Sequence, residues 1–350
     1  MPPFVLLKNP ATYTPCGRED MLADRELREY WLEHFETHFA QTYVPQAIAS
    51  YGAECRPRIE AALADLTREL RTLRARPNAR GRLDLYILDL IRQEALHRHG
   101  VPDPFLALKQ RENAAVIPQY RYVVDELDSH RDPREVLLLA VEGVFAGNIF
   151  DLGANGTAAL FATASPDFID VRDKITRPWL VDDFDAYAER VLSGRHKKAV
   201  FFLDNAGSDC ILGVIPFVRH LAAGGTRVVI AANRQPALND VTIDELRALL
   251  PQLAAIDPTL ARLLASGAIT TADSGSGAPL IDLGDLSEEL NAASAGADIV
   301  YLEGMGRSVE SNYSTEFAVD AVKMCMIKDL LAARRLGGNL FDTVLKFEGV

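Results

Sequence analysis

KAVFFLDNAG occupies residues 198–207. A short apolar run that ends in Asp204-Asn205-Ala206-Gly207 reads as a strand buried on both faces and opening into a polar loop. The same texture returns in TRVVIAA (226–232), GAIT (267–270), ADIVYL (297–302) and TVLKFE (343–348). Amphipathic helical patterns fill most gaps, over 209–223, 242–255 and 315–336. Strand, helix, strand repetition of this kind predicts an α/β fold, three layers deep, with a largely parallel sheet.

Toward the N-terminus the texture is helical. Leu22, Leu27, Trp31, Phe35 and Phe39 recur every four or five residues, and 59–73 and 83–97 repeat the pattern. DPFLALKQREN (103–113) adds a further helical piece, followed by a less regular stretch to about 133. The expected division is a helical N-terminal domain over 1–135 and an α/β domain over 136–350. The apolar helix faces fit either a contact with the sheet or a homo-oligomer interface.

The 350 residues carry 49 acidic and 37 basic side chains, a formal net charge of −12. That balance argues against an undirected grip on nucleic acid or anionic lipid, so an anionic substrate needs a local metal or local basic groups. Cys16, Cys55, Cys210 and Cys325 are widely spaced, which suggests reduced thiols in the cytoplasm instead of a zinc knuckle or a disulfide framework. No signal peptide and no apolar stretch approaching the roughly 20 residues of a membrane span is expected.

In an open parallel sheet, ligands bind beyond the carboxyl ends of the strands. Asp204 and Asn205 follow one strand, and Asn239-Asp240 precede the helical pattern after the next. Two carboxylates and an amide carbonyl are hard oxygen donors suited to Mg²⁺ or Mn²⁺. Asp and Asn are also favoured as helix caps and in turns, which is the plain structural alternative for these positions. Glu303-Gly304-Met305-Gly306-Arg307 follows a later strand; its glycines let backbone N–H groups approach an anion, and the Arg307 fork can chelate one. Asn148 and Asp151 are polar groups in an apolar stretch, fitting either structural hydrogen bonding or the site. Lys346 interrupts TVLKFE, as an edge lysine or a phosphate contact. His34, His38, His97 and His99 read as ordinary helix residues. The chain has no GxSxG elbow and no Walker A sequence, which disfavours a serine hydrolase or a P-loop kinase.

DNAG (204–207), NDVT (239–242), EGMGR (303–307) and LGGNLFDTVLKFE (336–348) together resemble the metal-dependent damage-control phosphatases, the domain of unknown function 89. EGMGR is similar to the second subfamily, which includes plant-type stand-alone proteins and the phosphatase domain of pantothenate kinase four. AGNIFDLGA (146–154) and DPFLALKQREN extend the resemblance over nearly the whole chain. It implies a divalent metal (Mn, Co, Ni or Mg) held by Asp204, Asn205 and Asp240, which would also be the catalytic residues. It implies substrate contacts from the EGMGR loop and Lys346, to which Asn148, Asp151, Gly207 and Ser274 are added as candidates. The expected activity is hydrolysis of a small phosphorylated metabolite, 4′-phosphopantetheine or its oxidised forms. Asp204 has two open roles, orienting water or attacking phosphorus itself. The rival readings are an S-adenosylmethionine-dependent carboxyl methyltransferase and a non-catalytic regulator that binds a phosphometabolite. A haloacid-dehalogenase-type phosphatase is weaker, because Asp204-Asn205-Ala206 does not meet its DxDx(T/V) signature.

Overall fold

In the computed structural model, which describes residues 1–17, 20–149 and 168–350, the apolar runs form one mostly parallel sheet. Its strands are β1 (Val181–Asp182), β2 (Lys198–Phe202), β3 (Arg227–Ala232), β4 (Ile269–Asp273), β5 (Ile299–Glu303), β6 (Asp320–Met326) and β7 (Thr343–Glu348), in the order β1-β7-β6-β5-β2-β3-β4. Every described pair of neighbours is parallel except β6 with β7.

Side chains alternate between two buried faces, as the strand period of two requires. Ala199, Phe201, Val228, Ile230, Ile299 and Tyr301 enter one core, and Val200, Phe202, Val229, Ala231, Val300 and Leu302 the other. Helices over Ile215–Ala223 and Ile243–Ala254 cover the first face. Phe4, Leu6 and Leu7 pack on the second face beside Leu290 of the Glu288–Ser294 helix.

The helical reading of 315–336 is corrected by the structure. Residues 320–326 are strand β6, buried throughout, and only Leu330–Leu336 is helical. The sequence disguises β6 because its two charged residues have partners inside the protein. Lys323 Nζ meets Glu348 Oε2 at 2.6 Å and donates to the Thr315 carbonyl at 2.7 Å, and Asp320 pairs with His196 and Arg190.

The N-terminal helices are α1 (Arg25–His38), α2 (Val44–Tyr51), α3 (Arg56–Ala75), α4 (Leu85–Arg98), α5 (Leu106–Ser129) and α6 (Pro133–Ile149). Asp24 and Asp84 cap α1 and α4 by accepting the Leu27 and Ile87 N–H groups. Trp31, Phe35 and Phe39 pack into a helical core that runs to Leu108 and takes in Leu280 from the α/β part. Val116 to Leu127 of α5, and α6 after it, belong to the core under the sheet. The stretch before 133 is therefore regular helix, α5 running unbroken through Pro118. All four cysteines are buried thiols, and no described helix is long and apolar enough to cross a membrane.

Candidate active site

The chain runs from β2 outward to β3 and β4, then returns to the other side of β2 as β5. The carboxyl ends of β2 and β5 thus flank a topological switch point, where an open sheet leaves a crevice. Asp204 leaves β2 there and Glu303 ends β5 there, and the Asp204 N–H donates to Glu303 Oε2 at 2.8 Å. The loop after β3 is laced to the loop after β2 by backbone bonds, Ala206 N–H to the Asn239 carbonyl and Val241 N–H to the Asp204 carbonyl. Asn205 and Asp240 consequently face each other across an isolated antiparallel bridge.

Arg307 lies between the two loops, 1% exposed. Its Nη1 donates to Asp204 Oδ1, and its Nη2 reaches Asp240 Oδ2 at 2.8 Å and Asn233 Oδ1 at 3.2 Å. Asn233 Nδ2 donates to the same Asp240 oxygen at 2.9 Å. Burial opposes the Arg307 charge, but Asp240 and Asp204 outweigh it and hold the guanidinium protonated.

A second group of acids sits beside the first. Asp204, Asp209 and Glu303 bring carboxylate oxygens within 4.8 Å of one another. Burial, with Asp204 next to it, raises the Asp209 pKa; burial, with Asp209 and Asp204, pushes Glu303 well above the carboxylate range. Asn205 Nδ2 donates to Asp204 Oδ2 and Asp209 Oδ2, both at 2.9 Å. Asn148 Nδ2 donates to Asp209 Oδ2 at 2.9 Å and to Glu303 Oε1 at 3.2 Å. Asp209 Oδ1 is buried without a hydrogen-bond partner among the described residues. Buried, convergent, hard oxygen donors with an unsatisfied acceptor suit a divalent cation, so the residues present fit one.

The predicted residues are not all gathered here. Asp204, Asn205, Asp240, Met305 and Gly306 line one cavity, with Asn148, Glu303 and Arg307 buried behind or between them. Gly207 stands beside the cluster, and its N–H donates to Asn113 Oδ1 at 2.8 Å. Ser274 and Lys346 are not among the residues lining the cavity. Ser274 Oγ accepts the Ser276 N–H, and Lys346 Nζ donates to the Tyr313 carbonyl and to Glu348. Asp151 lies outside the described residues.

Sequence reasoning missed Asp209, Lys328, His34 and His38. Asp209 opens the helical segment five residues after Asp204, a spacing that could have flagged it. Lys328 lines the cavity two residues past β6, hidden by the helical misreading of that strand. His34 and His38, read as ordinary helix residues, line the same cavity from α1.

Gly304 has φ +90°, and a Cβ there would stand 2.7 Å from the Asp204 Cβ and overlap its carboxylate. Gly304→Ala therefore displaces Asp204. Since misplacement by about 1 Å costs on the order of 10²-fold in rate, turnover at this site should fall by about that much, read from steady-state kcat beside the native chain.

The damage-control phosphatase ARMT1-like domain matches residues 37–344. A damage-control phosphatase of Arabidopsis thaliana is 40% identical over 76% of this chain and 73% of its own length. Pantothenate kinase 2 of the same plant is 37% identical over 99% of this chain but only 41% of its own length. The mouse (Mus musculus) 4′-phosphopantetheine phosphatase is 33% identical over 98% of this chain and 48% of its own. The chain thus spans less than half the length of these last two relatives. A crystal structure of a DUF89 protein from Pyrococcus horikoshii superposes with a TM-score of 0.57 at 19% identity, over 85% of this chain and 96% of that one, and so shares the fold.

Proposed function

The chain belongs to the damage-control phosphatase ARMT1-like family, and from that premise we propose that it is a metal-dependent phosphomonoesterase acting on 4′-phosphopantetheine or its oxidised forms. The observation that carries the reading is the meeting of Asp204, Asn205 and Asp240 at the switch point, lining a cavity and tied together by the buried Arg307. The S-adenosylmethionine reading is not favoured, since these relatives are named as phosphatases and a pantothenate kinase.

Asp204, Asn205 and Asp240 would hold the cation, with Asp209 and Glu303 as further oxygen donors beside Asp204. A bound Mn²⁺, Co²⁺, Ni²⁺ or Mg²⁺ would supply Lewis-acid neutralisation of phosphoryl oxygens. Arg307 fixes the spacing of Asp204 and Asp240 and keeps a permanent positive charge between them. Lys328 adds a second positive charge at the cavity wall. In the net reaction the ester P–O bond breaks, water oxygen bonds to phosphorus, and a water proton ends on the leaving alcohol. A rapid-quench trap for an aspartyl-phosphate separates the two roles open to Asp204.

The substrate reading rests on the mouse relative's name and on the apolar part of the cavity lining. Trp31, Phe35, Leu85, Leu238 and Leu280 give the cavity an apolar part beside its charged and polar lining. Those apolar side chains can pack against the branched alkyl part of a pantetheine arm. Leu238 adopts φ +49°, a strained conformation held at the site by its loop. Trp31→Leu is expected to raise KM for 4′-phosphopantetheine by about tenfold with little change in kcat, and to leave a small aryl phosphate unaffected. Parallel kinetics on the two esters check this, and an equal loss on both would remove the arm contact.

A further inference from the structure

DPFLALKQREN contributes no side chain to the cavity lining, yet it touches both loops that carry the acids. Lys109 of α5 is 1% exposed, and its Nζ lies 2.7 Å from Glu245 Oε1 and 2.9 Å from Asp103 Oδ2. It also approaches the Asp240 carbonyl at 3.5 Å. Glu245 in turn accepts the Thr242 N–H at 2.9 Å, while the Thr242 hydroxyl oxygen accepts the Glu245 N–H at 3.3 Å. This capping box begins two residues after Asp240, so Lys109 is tied to the turn that presents that carboxylate.

One helical turn onward, on the same face of α5, Asn113 Oδ1 accepts the Gly207 N–H at 2.8 Å. Gly207 closes the Asp204-Asn205 loop with φ +71°, and a Cβ there would come within 3.0 Å of the Glu112 Cβ. The helix and the loop are therefore in direct contact, and only a glycine permits that approach.

We propose that α5 is a clamp on the cation site, with Lys109 and Asn113 as positioning residues that set the distance between the Asp204-Asn205 loop and the Asp240 loop. The clamp rests on the reading that these three residues hold a divalent ion. It gives the helical part of the chain a role that needs no contact with substrate.

The test is the affinity for Mn²⁺, read from the electron paramagnetic resonance of the free ion, beside the melting temperature of the chelated protein. Asn113→Ala deletes the acceptor and is expected to weaken Mn²⁺ binding about tenfold, the worth of one buried hydrogen bond, while chelated melting shifts by only a few degrees. Asn113→Asp restores an acceptor and should bring the affinity back to within about threefold of native. Lys109→Arg keeps the charge but changes the reach of the donor, and is expected to weaken binding by a similar factor. Asn113→Ala binding Mn²⁺ as tightly as the native chain, or Asn113→Ala and Asn113→Asp weakening it equally, would overturn the clamp. A native chain that binds no Mn²⁺ would overturn the cation reading and the clamp with it. Native binding lost in Asn113→Ala would support the clamp even if no ester were hydrolysed.

Discussion

Asp204→Ala is expected to lower metal-dependent phosphate release by about 10³-fold or more while leaving the chain folded. Asp204 is the carboxylate common to both acidic groups, the one bridged by Arg307 to Asp240 and the one shared with Asp209 and Glu303. Its loss removes a donor to the cation and a pivot for the reacting groups. The fold is expected to tolerate the change because Asp204 repels Asp209 and Glu303, both of whose pKa values its charge raises. Arg307 keeps Asp240, Asn233 and the Pro279 carbonyl as partners. Turnover and melting temperature measured together decide the matter. A variant retaining more than about a tenth of native turnover contradicts the assignment. Loss of folding without any metal dependence in the native chain returns Asp204 to a structural role.

Arg307→Met should show the opposite division between stability and metal. Arg307 is a buried cation between two buried carboxylates, and removing one partner of such a group costs about 3–5 kcal/mol because charges are left unpaired. In chelator the variant should therefore melt well below the native chain. A divalent ion placed among Asp204, Asn205 and Asp240 would offset the missing charge, so adding Mn²⁺ should raise the variant's melting temperature more than the native protein's. Scanning calorimetry with and without Mn²⁺ reads both effects. Equal metal-induced shifts in the two proteins would contradict the placement of the ion near Arg307.

The sequence makes legible whatever follows from local pattern. β2, β3 and β5 are apolar runs whose bounds match the structure within a residue or two, because buried parallel strands leave little room for polar side chains, and β7, antiparallel to β6 and carrying Lys346 and Glu348, matches over 343–348. β6 was hidden since Lys323 and Asp320 have partners supplied by β7, Arg190 and His196, far away in sequence. That misreading also concealed Lys328, which reaches the cavity only because β6 ends beside it. Asp204 and Asp240 were found because polar residues just past strand ends are where an open sheet binds ligands. His34 and His38 were not, because nothing in the periodicity of α1 tells which face meets Asp204 and Asp240 across the cavity. Lys109 and Asn113 stood in a motif that the resemblance noted, but their bonds to Glu245 and Gly207 depend on how α5 docks.

Metal-dependent hydrolysis is tested by phosphate release from 4′-phosphopantetheine and from a small aryl phosphate, first after chelation and then with Mg²⁺, Mn²⁺, Co²⁺ or Ni²⁺ restored. No turnover is expected in chelator, with recovery on adding at least one ion and a kcat/KM about tenfold or more higher for 4′-phosphopantetheine than for the aryl ester. No release from either ester with any of the four ions would contradict it.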